Sequence, residues 1–250
     1  MKPLHAVLLV WALLVATSAA CWGADAGSSR PGKIRILLVH GGHDFETNQF
    51  LRVFRDNPEV SLRVVQEPAA QAWFKPDRAR QYDVLVFYNF HLETPDPSRG
   101  EAERQTFEAL TQLGETQQGI LVLHHALVAY DHWPFWDSLI GTLKRNHGYA
   151  HDQHLHVRVA RPDHPITHGL ADFDLVDETY PLDDAKPEDG NTILLTVDHP
   201  NSMHTLAWTR QHRNARVLCW QSGHDNAAWS NPTFATIMAR GIQWLAGRLH

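Results

Sequence analysis

Residues 119–130 read GILVLHHALVAY. Ile120 to Leu123 form a short, wholly apolar run, the mark of a strand buried on both faces. The run stops at two histidines and passes into an apolar stretch of helical character. In α/β folds, ligands and catalytic groups collect at the carboxyl ends of parallel strands. The stretch therefore predicts a strand–turn–helix corner with His124 and His125 standing where a site is built.

The segments around it have the same form. "IRILLV" (34–39) is a continuous apolar run ending at His40-Gly41-Gly42-His43-Asp44, and residues 45–57 follow with helical spacing of Phe45, Phe50, Leu51 and Phe54. "VSLRVV" (60–65) and "YDVLVFYNF" (82–90) are further strands, and Ser98 with Glu101 reads as a capping box for a helix running to about Leu113. Near-continuous rather than alternating hydrophobicity, in the order strand–helix–strand–loop–strand–helix–strand, predicts an α/β, flavodoxin-like sandwich. Its sheet is mainly parallel and covered on both faces.

The second half is richer in strands: "HLHVRVA", with His154 and His156 on one face, then "TILLTV", "HTLAWT" and "ARVLCW". Asn231-Pro232 is a cap with a first-turn proline for a closing helix that stripes Phe234, Ile237, Met238, Ile242 and Leu245. No repeat or linker follows residue 33, so residues 33–250 are expected to form one domain.

Composition narrows the class. Hydrophobic residues are 43% and charged residues 20%, enough for an ordinary core. The net charge of −6 and the lack of a Lys/Arg run argue against a nucleic-acid partner. Histidine is the outlier, with 18 copies against 22 Lys plus Arg. Residues 1–26 read as a signal peptide: a basic start, the apolar run AVLLVWALLVA, and Ala24-Asp25-Ala26 as the cleavage site. The run is too short for a membrane span. An exported chain, periplasmic or secreted, is expected, with lipid anchoring at Cys21 as the alternative. Without Cys21, only Cys219 remains, inside a buried-strand pattern, so no internal disulfide is expected and that cysteine reads as packing.

Read together, the strand ends are suggestive. His43, His91, His124 with His125, and His224 each follow a different strand, and parallel neighbours would bring them to one edge of the sheet. The stretches "LLVHGGHDFE", "YDVLVFYN", "GILVLHHA", "WPFWDSLIG", "DHPITHGL", "DLVDETY", "LAWT", "ARVLCWQSGHD" and "FATIMARGIQWLAG" occur in an order that resembles the ThuA-like (trehalose utilisation) family. The resemblance implies a class I glutamine amidotransferase-like fold. In those relatives the turn after the central strand carries a nucleophilic cysteine. Here His124 takes that elbow and no cysteine is near, so thiolate chemistry is not available.

The candidate catalytic set is His43, His124 and His224 with Glu178 or Asp177 of "DLVDETY". One imidazole would act as general base, oriented by a carboxylate. Alternatively His43, His124, His224 and Glu178 would hold a divalent metal such as zinc. Of the two elbow histidines, His124 is expected to point inward and His125 to pack or cap. Candidate substrate-binding groups are Asp44, His125, His147 (with His151 as second choice for that position), Tyr180, Trp133 and Trp229. Trp136, Trp208 and Trp220 are expected in the core. The resemblance implies a sugar-like small-molecule ligand, a carbohydrate or oxidised sugar derivative. The alternatives are a non-catalytic sugar-binding module and a metal-dependent hydrolase of an amide or ester.

Overall fold

The computed structural model describes residues 32–142, 144–145 and 148–250. The signal-peptide and Cys21 expectations, and the candidate His147, lie outside these residues.

The chain runs β1 (Ile34–Gly41), α1 (Thr47–Arg55), β2 (Val60–Gln66), α2 (Pro76–Ala79), β3 (Val84–Asn89), α3 (Glu101–Thr111), β4 (Gly119–Leu123) and α4 (Pro134–Ile140). It continues with β5 (Ala150–Val159), β6 (Phe173–Thr179), β7 (Asn191–Thr196), β8 (Thr205–His212), β9 (Ala215–Trp220), α5 (Asn226–Trp229) and α6 (Pro232–Leu245). The nine strands form one sheet in the order β2-β1-β3-β4-β9-β8-β7-β5-β6. From β2 to β9 every neighbour is parallel. Beyond β9 every pairing is antiparallel. The sheet is thus mixed around a parallel core. The physical reason lies in the connections: β8 and β9 are joined through Arg213 and Asn214 alone, a link that only antiparallel strands can make.

Burial on both faces explains the continuous apolar runs. Along β1, Ile34, Ile36 and Leu38 enter the core layer built with Phe50, Phe54 and α6, while Leu37 and Val39 enter the opposite layer with Trp136, Leu110 and Leu139. The same alternation divides Leu121 and Leu123 from Ile120 and Val122 in β4, and Leu218 and Trp220 from Val217 and Cys219 in β9. Helices therefore cover both faces, which gives the three-layer sandwich expected from the sequence. Cys219 is free and fully buried, as its pattern indicated.

Helix starts hold one correction. Asn231 caps α6 as read, its side chain accepting from Thr233 N at 2.9 Å. Ser98 does not cap α3. Its hydroxyl donates to Asp96 Oδ1 at 2.7 Å and the residue sits in a separate short turn, leaving Gly100 to precede the helix. The hydroxyl is already engaged by the upstream carboxylate, so a local Asx-type turn displaces the capping box.

Two fully buried rings link this core to the strand ends: Phe50 of α1 stacks on Tyr88 of β3 at 4.0 Å and 25°. Tyr88 Oη in turn donates to the Gly223 carbonyl at 2.9 Å. Replacing Phe50 with Ala is expected to destabilise the domain by about 3–5 kcal/mol through loss of burial and the cavity left behind. Urea unfolding would read this as a lower midpoint at unchanged slope.

Candidate active site

The carboxyl ends of β1, β3, β4 and β9 lie side by side, because these four strands are consecutive in the sheet and parallel. The chain order also reverses direction at β1, whose neighbours β2 and β3 lie on opposite sides, the topology at which α/β sheets open a crevice. Two backbone features shape this edge. After β1, Gly42 has φ +83°, and a Cβ there would lie 2.3 Å from the Phe90 carbonyl oxygen, so only glycine lets the two loops meet. After β4, His124 has φ +53°, a left-handed conformation that non-glycine residues adopt rarely. This sharp strand-to-helix turn resembles the nucleophile elbow of hydrolases and presents the side chain above the sheet edge.

The His124 ring is completely buried and its orientation is fixed by a backbone group. Nδ1 lies 2.7 Å from the Gln221 carbonyl at the end of β9. A carbonyl only accepts, so Nδ1 donates to it, and this tautomer turns Nε2 into the site. Nε2 faces His224 Nδ1 at 3.1 Å, Tyr180 Oη at 3.1 Å and Glu178 Oε1 at 3.5 Å. His224 Nδ1 is 3.7 Å from the same Glu178 oxygen. Tyr180 donates its hydroxyl proton to Glu178 Oε1, and its oxygen also meets His125 Nδ1. On the outer side, His151 Nδ1 pairs with Glu178 Oε2 at 2.8 Å.

These spacings have a chemical meaning. One ligand atom from each of His124, His125, Glu178 and His224 lies within 4.8 Å of all the others. A tetrahedral zinc site with ligands at roughly 2.0–2.1 Å has edges of about 3.3 Å. The observed separations of 3.1, 3.5 and 3.7 Å between the His124, Glu178 and His224 donor atoms bracket that edge. The donor set of imidazoles and a carboxylate suits a borderline-soft divalent cation, and the Gln221 carbonyl behind His124 is the outer partner that orients a ligating histidine. The residues fit a metal.

Asp177 has a different task. Its carboxylate is buried and accepts from Gly223 N at 2.7 Å and His224 N at 3.0 Å, as well as from Glu178 N at 2.9 Å. Burial pushes its pKa up to about 6, against the lowering effects of nearby His124 and of those backbone donors. Glu178 moves the other way. Burial would raise it, but the hydrogen bond from Tyr180 and the neighbouring His124 and His224 bring it down to about 2. His125 is driven far below the ordinary imidazole value by burial first and then by the neighbouring histidines.

The candidates predicted from sequence separate as follows. His124, His224 and Glu178 converge, and Tyr180 stands among them. His125 converges as well: the expectation that one elbow histidine points in while the other packs is corrected, since the tight turn aims both rings at Tyr180. His43 stands behind His125, ring centroids 4.2 Å apart, and outside the four converging ligand atoms. Both of its ring nitrogens are buried with no hydrogen-bonding partner among the described residues. Burial and the adjacent His124 and His224 hold its pKa down at about 4. Asp44 is exposed beside it. Asp177 is a brace rather than a member of the cluster. Trp133 is 6% exposed and packs with Phe107, Tyr130 and Phe135 in the core instead of lining a cleft. Trp229 is also mostly buried, its Nε1 donating to the Gly223 carbonyl, and it reaches an outer cleft between α1 and α6 away from the histidines. Trp136, Trp208 and Trp220 are core, as expected. His91 follows β3 but is not among the converging ligands.

Two participants escaped the sequence reading. The Gln221 carbonyl is backbone and leaves no side-chain signal. His151, only a second choice for another position, reaches Glu178 because β5 runs antiparallel to β6 with a register shift between Ala150 and Gln153.

With this geometry in view, the comparisons are informative. The family described as ThuA, trehalose utilisation, matches residues 35–245. Among solved structures, the chain is similar to a ThuA-like protein from Parabacteroides merdae, with TM-score 0.66 and 18% identity over 87% of this chain and 91% of that one. A ThuA-like protein from Bacteroides uniformis gives TM-score 0.64 and 17% identity over 89% and 95%. PurLQS from Thermotoga maritima gives TM-score 0.53 and 13% identity over 85% and 99%, which places the fold beside the glutamine amidotransferases. No curated protein is significantly similar in sequence.

Replacing Asp177 with Ala would leave the Gly223 and His224 amides without their acceptor. The expected loss is about 2–3 kcal/mol of stability. In a heteronuclear NMR spectrum the Gly223 and His224 amide resonances should shift while those of α1 stay in place.

Proposed function

The chain belongs to the ThuA, trehalose utilisation, family, and we propose that it is an exported enzyme that acts on a carbohydrate or an oxidised sugar derivative through a metal-binding His–Glu site. The observation that carries the reading is the convergence of His124 Nε2, His224 Nδ1 and Glu178 Oε1 at 3.1 to 3.7 Å, with His125 completing the set. Three or four lone-pair donors at tetrahedral spacing are mutually repulsive unless a proton or a cation lies between them. When bound, a divalent ion such as zinc supplies an electrophile for a carbonyl or hydroxyl oxygen and acidifies a coordinated water.

The protein's own groups provide the rest. Tyr180 donates to Glu178 and so fixes which carboxylate oxygen faces His124. His43, with two unpartnered ring nitrogens beside His125, offers a hydrogen bond to a substrate hydroxyl. His151, 53% exposed at its side chain, stands on the solvent side of Glu178 and is placed to carry a proton between the site and water. The sugar assignment draws on the family. The residues themselves call for a polar ligand rich in hydrogen-bonding groups. No helix among the described residues is long and apolar enough to cross a membrane, and export rests on the amino-terminal leader read from the sequence.

The test is elemental analysis of the chain purified without a histidine tag, followed by assay of trehalose, maltose and their oxidised derivatives. About one zinc-like ion per chain is expected, lost in His124→Ala/His224→Ala, with product formation abolished by chelator and restored by metal. A metal-free wild type that still turns over sugar would replace the metal with proton transfer between His124 and His224, the His124 ring being held by the Gln221 carbonyl. A metal-free, inactive protein that binds sugar would make it a binding module.

A further inference from the structure

A second polar cleft lies on the other side of the wall formed by Gly42 and Phe90. Its volume is about 500 Å³, and it is lined among others by Glu67 after β2, His91 after β3, Glu103 of α3 and Tyr130. That is within the size range of small-molecule sites, roughly 300–1,000 Å³. Two side-chain atoms on its wall are buried without a hydrogen-bonding partner among the described residues: Glu67 Oε2 and His91 Nε2. Just behind, the completely buried Asn89 donates to Tyr130 Oη at 3.2 Å, while its own Oδ1 has no partner. Buried polar atoms of this kind are costly unless something pairs with them.

We propose that this cleft binds a neutral, hydroxyl-rich ring, a sugar unit held beside the His–Glu cluster. This rests on the sugar reading given above. Charge selects the ligand class. Glu67, Glu93 and Glu103 line the cleft and no lysine or arginine does, so a phosphate or carboxylate ligand is repelled. The unpaired carboxyl and imidazole atoms exclude an apolar one. Hydroxyl groups match, because each both donates and accepts. Burial, together with Glu103, raises the Glu67 carboxyl to about 7, so near neutrality it also can do either. Aromatic rings flank the space: Phe90 lies between the cleft and the cluster, its ring 5.0 Å from that of His125. One aromatic ring thus separates the cleft from the cluster.

The experiment is calorimetric titration of the full chain with glucose, compared with Glu67→Gln, His91→Ala and His124→Ala/His224→Ala. Glu67→Gln keeps the side-chain volume and guards against a folding defect, which thermal unfolding of each variant would reveal. Binding of glucose should weaken about tenfold in Glu67→Gln and in His91→Ala, and persist in the double histidine variant. Binding lost only in the double histidine variant would overturn the cleft assignment while leaving the His–Glu reading intact. No glucose binding to the wild type would overturn it as well, with the His–Glu reading then judged by its own metal and turnover assays. A parallel titration with calcium chloride covers the competing chemistry. Stoichiometric calcium binding abolished by Glu67→Gln, without any effect of that variant on glucose, would make the cleft a cation site and sink the proposal.

Discussion

The candidate site depends on one buried carboxylate. Asp177 accepts hydrogen bonds from the amides of Gly223 and His224, and so ties β6 to the turn that follows β9. Those two strands are remote in the sheet, with β8, β7 and β5 between them. They meet because β5 joins β7 through only Arg158 and Val159, and gives most of its length to β6. The β5–β6 ribbon thereby reaches the carboxyl edge of the parallel core. Without this tie Glu178, the next residue, would have no reason to stand opposite His124. A buried carboxylate needs several donors to offset its desolvation, and the backbone of the 223–224 turn supplies two of them.

The same turn is held from below. Tyr88 donates to the Gly223 carbonyl, Trp229 Nε1 does so from α5, and Gln221 accepts from His124. The Gln221 carbonyl and the backbone groups of Gly223 and His224 are thus engaged by residues from β3, the turn after β4, β6 and α5. The imidazoles of the cluster are positioned by main-chain hydrogen bonds and a buried aromatic layer, not by flexible surface loops. This is the preorganisation that a metal or proton-transfer site requires, since the energy of ordering is spent in folding and not at the moment of binding.

The relation to the glutamine amidotransferase-like fold also has a physical content. The strand, the left-handed turn and the following short helical turn are shared features of an elbow, and the residue at its tip points into the site whatever its chemistry. With histidine at that tip, and with Cys219 buried in the opposite layer, the scaffold presents imidazole lone pairs to a carboxylate instead of a thiolate to a carbonyl. Fold and chemistry are separable.

Much of this was legible in the residues. Near-continuous apolar runs fixed the parallel core, because a strand buried on both faces has no polar side to show, and glycine and histidine at the strand ends marked the working edge. His124, His224, Glu178 and Tyr180 were all named from their positions after strands or in "DETY". The capping box failed because Asp96 captures Ser98 locally, and Trp133 was misplaced because a large indole suits a core as well as a cleft. The inward aim of both elbow histidines, the brace role of Asp177, the Gln221 carbonyl and the Glu67–His91 cleft were not legible. Each depends on contacts between segments far apart in the chain, some of them made by backbone atoms that every residue carries. The sequence by itself determined which strands are buried and which chemistry-bearing residues end them. Only the tertiary structure decided which of those residues meet, because that follows from how the β5–β6 ribbon folds over the sheet edge and from a few ångströms of hydrogen-bond geometry.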